Sequence, residues 1–193
     1  MFLENGYSKT TLRMISTECG LRQGTIAYHF HTKEDMLYYL IQALMDFHEE
    51  TIEESFDQHH DILVAYCMEI ATQIALCETD RKAWDLYYAA YSLPRTFEMI
   101  KNWASMKNYR LLSQVAPKWT ERDFREKEHI ASGIELSAFS IPCDKYFTQE
   151  NKIALVLDSM MLLYHIPEKQ RKSAIESVLI HDCGEIGRQM FDR

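Results

Sequence analysis

Apolar residues recur every three to four positions along this chain, in runs bounded by capping residues, glycine or proline, a pattern typical of amphipathic helices. No alternation typical of a strand extends beyond four residues, and no repeat or low-complexity linker occurs. The pattern predicts an all-α protein. Beyond the first 31 residues, the predicted helices run from Thr32 to about Phe56, Asp61 to Glu78, Asp80 to Ser92, Pro94 to about Ala116, Thr120 to about Ser140, Thr148 to about His165 and Pro167 to about Phe191.

The first 31 residues predict two short helices joined by a tight turn. Thr10 or Thr11 provides an N-cap for a helix over 12–18, and Gly20 closes that helix because glycine adopts a left-handed conformation without strain. A second helix covers 23–29. We expect buried faces made by Leu12, Ile15 and Cys19 in the first helix and by Ile26 and Phe30 in the second.

Two capping boxes mark later helix starts, at Thr32 with Asp35 and at Thr120 with Asp123. Together, the short helix pair and the long helix that begins at Thr32 have the geometry that places a second helix in the major groove of DNA.

This segment resembles the DNA-binding head of TetR-type transcriptional regulators. The residues that carry the resemblance are Phe2, Gly6, Tyr7, Thr10, Thr11, Ile15, Gly20, Leu21, Gly24, Thr25, Ile26, Tyr28, His29, Phe30, Lys33, Glu34, Asp35, Met36 and Leu37. The resemblance covers about 45 residues and implies an all-helical homodimer that holds an operator until a small molecule enters its second domain. Only residues 1–5 correspond to the family's first helix, so either the printed start is not the biological one or the head is incompletely braced.

The resemblance also implies roles for individual residues. Gln23 and Thr25 would reach base edges, Arg22 a guanine or a phosphate, and Gly24 would let the helix start approach DNA closely. The expected phosphate contacts, which set register without reading sequence, are Thr10, Thr11, Tyr28, His29 and Lys33. The structural alternatives are capping for the threonines, packing for Tyr28 and ordinary surface positions for His29 and Lys33.

The charge distribution is uneven. The net charge is −8, yet residues 1–33 carry +2, residues 34–80 carry −12 with no Lys or Arg, and the remainder carries +2. Phosphate contact depends on local charge, so a small basic head followed by an acidic segment would orient the head toward DNA. The alternative is that the acids only keep a helix solvated.

Other classes of protein find little support. The five cysteines, Cys19, Cys67, Cys77, Cys143 and Cys183, lack metal or disulfide spacing and indicate reduced, mostly buried thiols in a cytoplasmic protein. We expect no membrane span, because no apolar run approaches the required length, and no secretory signal is visible. His48, His59, His60 and Asp61 suggest a metal only weakly, because adjacent histidines point apart. We expect no cofactor, no metal and no enzyme, because no catalytic motif occurs.

The body is rich in large, polarisable side chains. Residues expected to line an effector pocket are Met68, Trp84, Tyr87, Tyr88, Tyr91, Trp103, Met106 and Tyr109, with Phe97 and Met99 in the same segments. The alternative is that they simply form the core. If Glu69, Glu78 or Asp85 faced the same cavity, a cationic aromatic ligand would fit.

The late helices carry broad apolar stripes that suggest a homodimer. The expected interface pairs the helix over 120–140 with the last helix, through Ile130, Ile134, Leu136, Ile175, Val178, Leu179 and Ile186. The helix over 148–165 is the competing partner.

We therefore predict two domains: a helix–turn–helix DNA-binding head over 1–45 with a shortened first helix, and a helical ligand-binding and dimerisation body over 46–193. The predicted function is a cytoplasmic, homodimeric, ligand-responsive regulator, a repressor that leaves a pseudo-palindromic double-stranded operator when a small apolar or aromatic molecule binds. The alternative is a helical ligand- or protein-binding module whose head has lost DNA binding.

Overall fold

The computed structural model describes residues 1–55, 58–114, 116 and 118–191, and side chains are described outside 48–61. Its architecture is all-α, 79% helical, with no strand in the described residues, as predicted. The helices are α1 Phe2–Asn5, α2 Leu12–Glu18, α3 Gln23–His29, α4 Lys33–Ser55, α5 Gln58–Thr79, α6 Arg81–Ser92, α7 Pro94–Leu112, α8 Glu121–Ser140, α9 Gln149–Leu163, α10 Glu168–Leu179 and α11 Cys183–Phe191.

Local signals define the helices of the head as expected. The Thr11 hydroxyl accepts a hydrogen bond from Met14 N at 3.2 Å and so caps α2, and Gly20 follows that helix with φ of 65°. At the start of α4, Thr32 and Asp35 exchange the two hydrogen bonds of a capping box. One expected burial is wrong, because Cys19 is exposed and Ser16 is buried instead, its hydroxyl bonded to the Arg13 carbonyl oxygen.

Helix α5 is the centre of the body, and α4, α6, α9, α10 and α11 pack around it. Its segment Ile62–Thr79 is long and apolar enough to span a membrane by length and composition, contrary to the sequence expectation, but 72% of it is buried inside the protein. Packing on all sides explains this composition, since a helix surrounded by other helices has no polar face.

Caps set the starts of the body helices as well. The Asp80 carboxylate caps α6, the second capping box is present at the start of α8, and Thr148 caps α9. Two details of the predicted helices are wrong. Helix α7 ends at Leu112 rather than near Ala116, and the single last helix is two helices, α10 and α11. The break follows from Asp182, whose carboxylate accepts from Glu185 N at 2.9 Å and caps a new helix.

Candidate nucleic-acid interface and ligand pocket

Helix α3 turns all but one of its side chains outward. Only Ile26 is buried, whereas Gln23, Thr25 and His29 are exposed and Tyr28 is 79% exposed. The helix rests on α2, so its free side is open for a partner. A short helix held by one apolar anchor, with polar side chains on its outer face, has the form that reads a groove.

The start of α3 is equally open. Arg22 is exposed, and a Cβ placed on Gly24 would meet no atom within 4 Å. The structure therefore places Arg22, Gln23, Gly24 and Thr25 side by side at an unobstructed helix start. Their contacts with DNA stay predictions.

The two threonines before α2 have different places. Thr11 is exposed and caps α2, which leaves it accessible. Thr10 is fully buried, and its hydroxyl donates to the Gly6 carbonyl oxygen at 2.7 Å. The expected phosphate contact of the Thr10 side chain is therefore wrong, because this hydroxyl holds the loop that joins α1 to α2.

Lys33 braces the same loop. Its ammonium donates to the carbonyl oxygens of Tyr7 at 2.9 Å and Thr10 at 3.1 Å, and it lies 4.0 Å above the Tyr7 ring. Burial lowers the pKa of Lys33, while the nearby Asp85 carboxylate acts in the opposite direction. A phosphate contact by Lys33 stays a prediction, and it would have to use the remaining donor of an ammonium that already holds two carbonyls.

The Asp85 carboxylate joins the head to α6. From the sequence, this residue is one of three acids considered near a ligand cavity. Asp85 accepts from Ser8 N at 2.6 Å and from Ser8 Oγ at 2.5 Å. Gly6, with φ of 84°, lies against it, and a Cβ on Gly6 would be 2.7 Å from Asp85 Oδ2. Asp85, one of the three acids considered as alternatives in the cationic-ligand hypothesis, therefore faces the head.

A second fastening joins the start of α4 to the start of α7. Leu93 precedes α7 and has no capping side chain, so Glu34 from α4 accepts from Arg95 N at 2.9 Å and Thr96 N at 3.2 Å. Asp35 forms an ion pair with Arg95. These are charge-assisted bonds to a helix N-terminus, and they fix the long helix relative to the body. We call the Ser8–Asp85 and Glu34–Arg95 bonds the head–body joint.

The residues expected to line one pocket are spread over several places in the described part of the chain. Met68, Tyr87 and Tyr91 are buried, and Tyr91 and Trp103 line a small cavity. Met106 is 64% exposed, and its predicted place in a pocket stays a prediction.

The other aromatic residues of that set lie away from this cavity. Trp84 and Tyr88 stack on each other at 5.1 Å between ring centroids, and Trp84 Nε1 donates to the Phe139 carbonyl oxygen. Tyr109 packs edge-on against Phe124. These residues mainly build the core and surface of the bundle, which is the alternative left open by the sequence.

A polar cavity of about 20 Å³ lies where α4, α5, α6, α7, α8 and α9 meet. Of the three acids expected near a ligand, only Glu69 lines it, and Glu69 forms a buried ion pair with Lys107. Glu78 instead pairs with Lys152. The lining residues are Met45, Tyr66, Glu69, Ile70, Gln73, Tyr91, Trp103, Ala104, Lys107, Asn108, Glu128, Glu135 and Met160.

Sequence reasoning missed the two acids of α8 that line this cavity. Glu128 and Glu135 are seven residues apart, and so share a helix face with the buried Phe124 and Ala131. Burial raises the pKa of Glu128, and burial together with the Glu128 carboxylate raises the pKa of Glu135 to about 8. The signal that could have identified them is an acid at a core position of an amphipathic helix.

The residues expected at the dimer interface differ in burial. Val178 is fully buried, and α10 and α11 pack on α5 within the same chain, where Ile175, Leu179 and Ile186 are half-buried against the core. Several exposed apolar residues lie on α8, on α9 and just after α8, while Ile180, just after α10, is 81% exposed.

Ile130 and Leu155 are 58% and 59% exposed, and Leu162 is 55% exposed. Between the two helices runs an apolar groove of about 240 Å³, lined by Ile134, Ser137, Ala138, Ile141, Phe147, Lys152, Leu155, Val156 and Ser159. Leu136 is half-buried against the core. The competing helix α9 thus shares the open face with α8.

Among the described residues, no group of three His, Cys, Asp or Glu side chains could hold a metal ion. The side chains of His48, His59, His60 and Asp61 lie outside that part of the chain. The five cysteines are free, with Cys67, Cys77 and Cys183 buried, Cys143 half-buried and Cys19 exposed.

Fold and site define an all-α protein with an exposed helix–turn–helix head on a helical body. Residues 1–40 match the family model of bacterial regulatory proteins, tetR family. The chain is also 24% identical over 121 residues to the HTH-type transcriptional repressor KstR2 of Rhodococcus jostii (strain RHA1), a match that covers 63% of this chain and 55% of that protein. No solved structure matches significantly. The N-terminal segment is therefore similar to the DNA-binding head of TetR-type regulators.

Proposed function

We propose that the protein is a DNA-binding transcriptional regulator of the TetR type that acts as a cytoplasmic homodimer. The observation that carries the proposal is α3, which presents Gln23, Thr25 and Tyr28 on an open face while Ile26 anchors it. The family match over this segment supports the same conclusion. Gln23 and Thr25 would read base edges, and Tyr28 would contact a phosphate.

The proposed dimer interface is the open face of α8 and α9. Four-helix bundles made from two helices of each subunit bury such faces around a two-fold axis. Exposed Ile130, Leu155 and Leu162 supply apolar surface there. Two heads related by this axis would read a pseudo-palindrome.

We further propose repression relieved by a small molecule with an apolar or aromatic part. Helices α4 and α6 connect the two regions. Helix α6 carries Asp85 at the head–body joint and Tyr91 at the cavity, and α4 carries Glu34 at the joint and Met45 at the cavity. A ligand that separates these cavity residues would shift the population toward head positions that fit successive major grooves poorly.

A gel-shift assay at stated salt concentration, with the intergenic DNA that flanks the gene, tests the proposal. Tyr28→Ala should weaken binding to all sequences, and Gln23→Ala should change which sequence is preferred. Tyr146→Ala is the matched control, because this body tyrosine is also 79% exposed. No binding by the unmodified protein at low salt, or an equal loss in the control, would favour a module that does not bind DNA.

A further inference from the structure

Two small cavities adjoin inside the body. The polar cavity described above and an apolar cavity, also of about 20 Å³, share Met45, Gln73 and Tyr91 as lining residues. The apolar cavity is otherwise lined by Ile41, Leu44, Tyr87, Ala90 and Ile100. Each cavity has room for about one water molecule. The three shared side chains lie at the boundary between the two cavities, and Met45, half-buried and unbranched, rearranges easily.

The polar end holds buried hydrogen-bonding atoms without partners in the part of the chain that the structure describes. They are Asn108 Oδ1 and Tyr66 Oη, on residues 3% and 2% exposed. The Asn108 amide orientation is fixed, because Nδ2 donates to Glu128 Oε2 at 2.8 Å and to Tyr164 Oη at 3.2 Å. Its oxygen is thus an acceptor in need of a donor.

The two acids of α8 at this end receive unequal numbers of hydrogen bonds. Glu128 receives bonds from Asn108, Tyr164 and Ser132, whereas Glu135 receives one, from Tyr91 at 3.2 Å. The Lys107 ammonium binds both oxygens of Glu69.

The charged side chains that line the polar cavity include more acids than bases. Lys107 and Glu69 cancel, so Glu128 and Glu135 remain as acids, and no other Lys, Arg or His among the described side chains lines the cavity. A guest would have to supply hydrogen-bond donors and positive charge, which an ammonium does with three donors.

We propose that the joined cavities form an effector site for a protonated amine with an apolar body. Its ammonium group binds Asn108 Oδ1, Tyr66 Oη and Glu135, which releases its proton to solvent when the cation binds, and its apolar part lies among Ile41, Leu44 and Ile100. Displacement of Tyr91 from Glu135 opens the connection. This inference rests on the proposed function, because it identifies the chemical class of the small molecule in that account.

The test compares three probes that share one apolar chain: n-hexylamine, 1-hexanol and hexanoate. Binding to the full chain without DNA is followed by thermal shift at neutral pH and by the fluorescence of Trp103, which lines the polar cavity. We expect hexylamine to bind and to raise the melting temperature, and the alcohol and the carboxylate to bind at least tenfold more weakly.

Glu135→Gln should weaken hexylamine binding tenfold or more while the protein stays folded. Glu121→Gln, an exposed change on the same helix, is the matched control and should bind as the unmodified chain does. Equal binding of the three probes, binding of none of them, or an unchanged affinity in Glu135→Gln would overturn the proposal.

DNA binding is measured in a separate assay, so the proposed function and the proposed amine site can be refuted independently of each other. Amine binding by a protein that does not bind DNA would overturn the proposed function and leave the site standing. DNA binding by a protein that ignores the amine would overturn the site alone.

Discussion

The head–body joint makes Gly6 the most sensitive small residue of the head. Gly6 has φ of 84° and ψ of 161°, a region occupied almost only by glycine, so Gly6→Ala costs about 1–3 kcal/mol in backbone strain. The new Cβ would also lie 2.7 Å from Asp85 Oδ2, so the carboxylate must move and its two bonds to Ser8 weaken. The loss of charge-assisted bonds at an exposed position adds about 1 kcal/mol.

We therefore expect Gly6→Ala to lower the free energy of unfolding by about 3 kcal/mol, or the melting temperature by roughly 6–12 °C for a chain of this size. Gly20→Ala is the matched control. Gly20 also has positive φ, 65°, but nothing lies within 4 Å of an added Cβ, so strain alone should cost about 1 kcal/mol.

Chemical denaturation followed by circular dichroism measures both variants, and a double-mutant cycle with Asp85→Ala isolates the collision. In the Asp85→Ala background, Gly6→Ala should cost about 1 kcal/mol less than in the original protein. Equal losses for Gly6→Ala and Gly20→Ala, or the same loss in both backgrounds, would refute the placement of Gly6 against Asp85.

Three further changes test other parts of the account. Gly187→Ala should destabilise by about 1–3 kcal/mol although alanine favours helices, because the Cβ would lie 2.7 Å from the Thr72 carbonyl oxygen; a stabilised variant in thermal denaturation would contradict the packing of α11 on α5. Leu155→Arg should give a monomer in light scattering, and an unchanged mass would exclude the α8–α9 face. Glu135 holds a proton in the folded protein between its ordinary pKa of 4.5 and about 8, where the unfolded chain has released it. The free energy of unfolding should thus fall as pH rises through this window, and Glu135→Gln should reduce the slope; identical slopes would place Glu135 in water.

The sequence predicted the head well because its determinants are local. Thr11, Gly20 and the Thr32 capping box each act within a few residues, and the predicted bounds of α2 and α3 agree with the structure. The wrong prediction for Cys19 shows the limit of reading burial from apolar spacing. Ser16 is buried in its place, because its hydroxyl bonds to the Arg13 carbonyl oxygen of the same helix.

Some of the features that were missed depend on residues distant in sequence, and others had a local signal. Ser8 and Asp85 are 77 positions apart, and nothing beside Asp85 indicates that it faces the head. Glu128 and Glu135 had a local signal, their core positions in α8, and so did Asp182, which caps α11 with Glu185 three residues later. Which apolar stripe stays exposed depends on how α10 and α11 pack, a tertiary outcome that single-helix patterns do not contain.

The most direct test of the central claim is selection of duplexes from a randomised DNA library by the full chain, followed by sequencing. If α3 from two copies enters successive major grooves, the selected duplexes should contain an inverted repeat with half-site centres about 10 base pairs apart. The Gln23→Ala variant should select a different half-site. Selected sequences without an inverted repeat, or the same half-site with and without Gln23, would contradict the account.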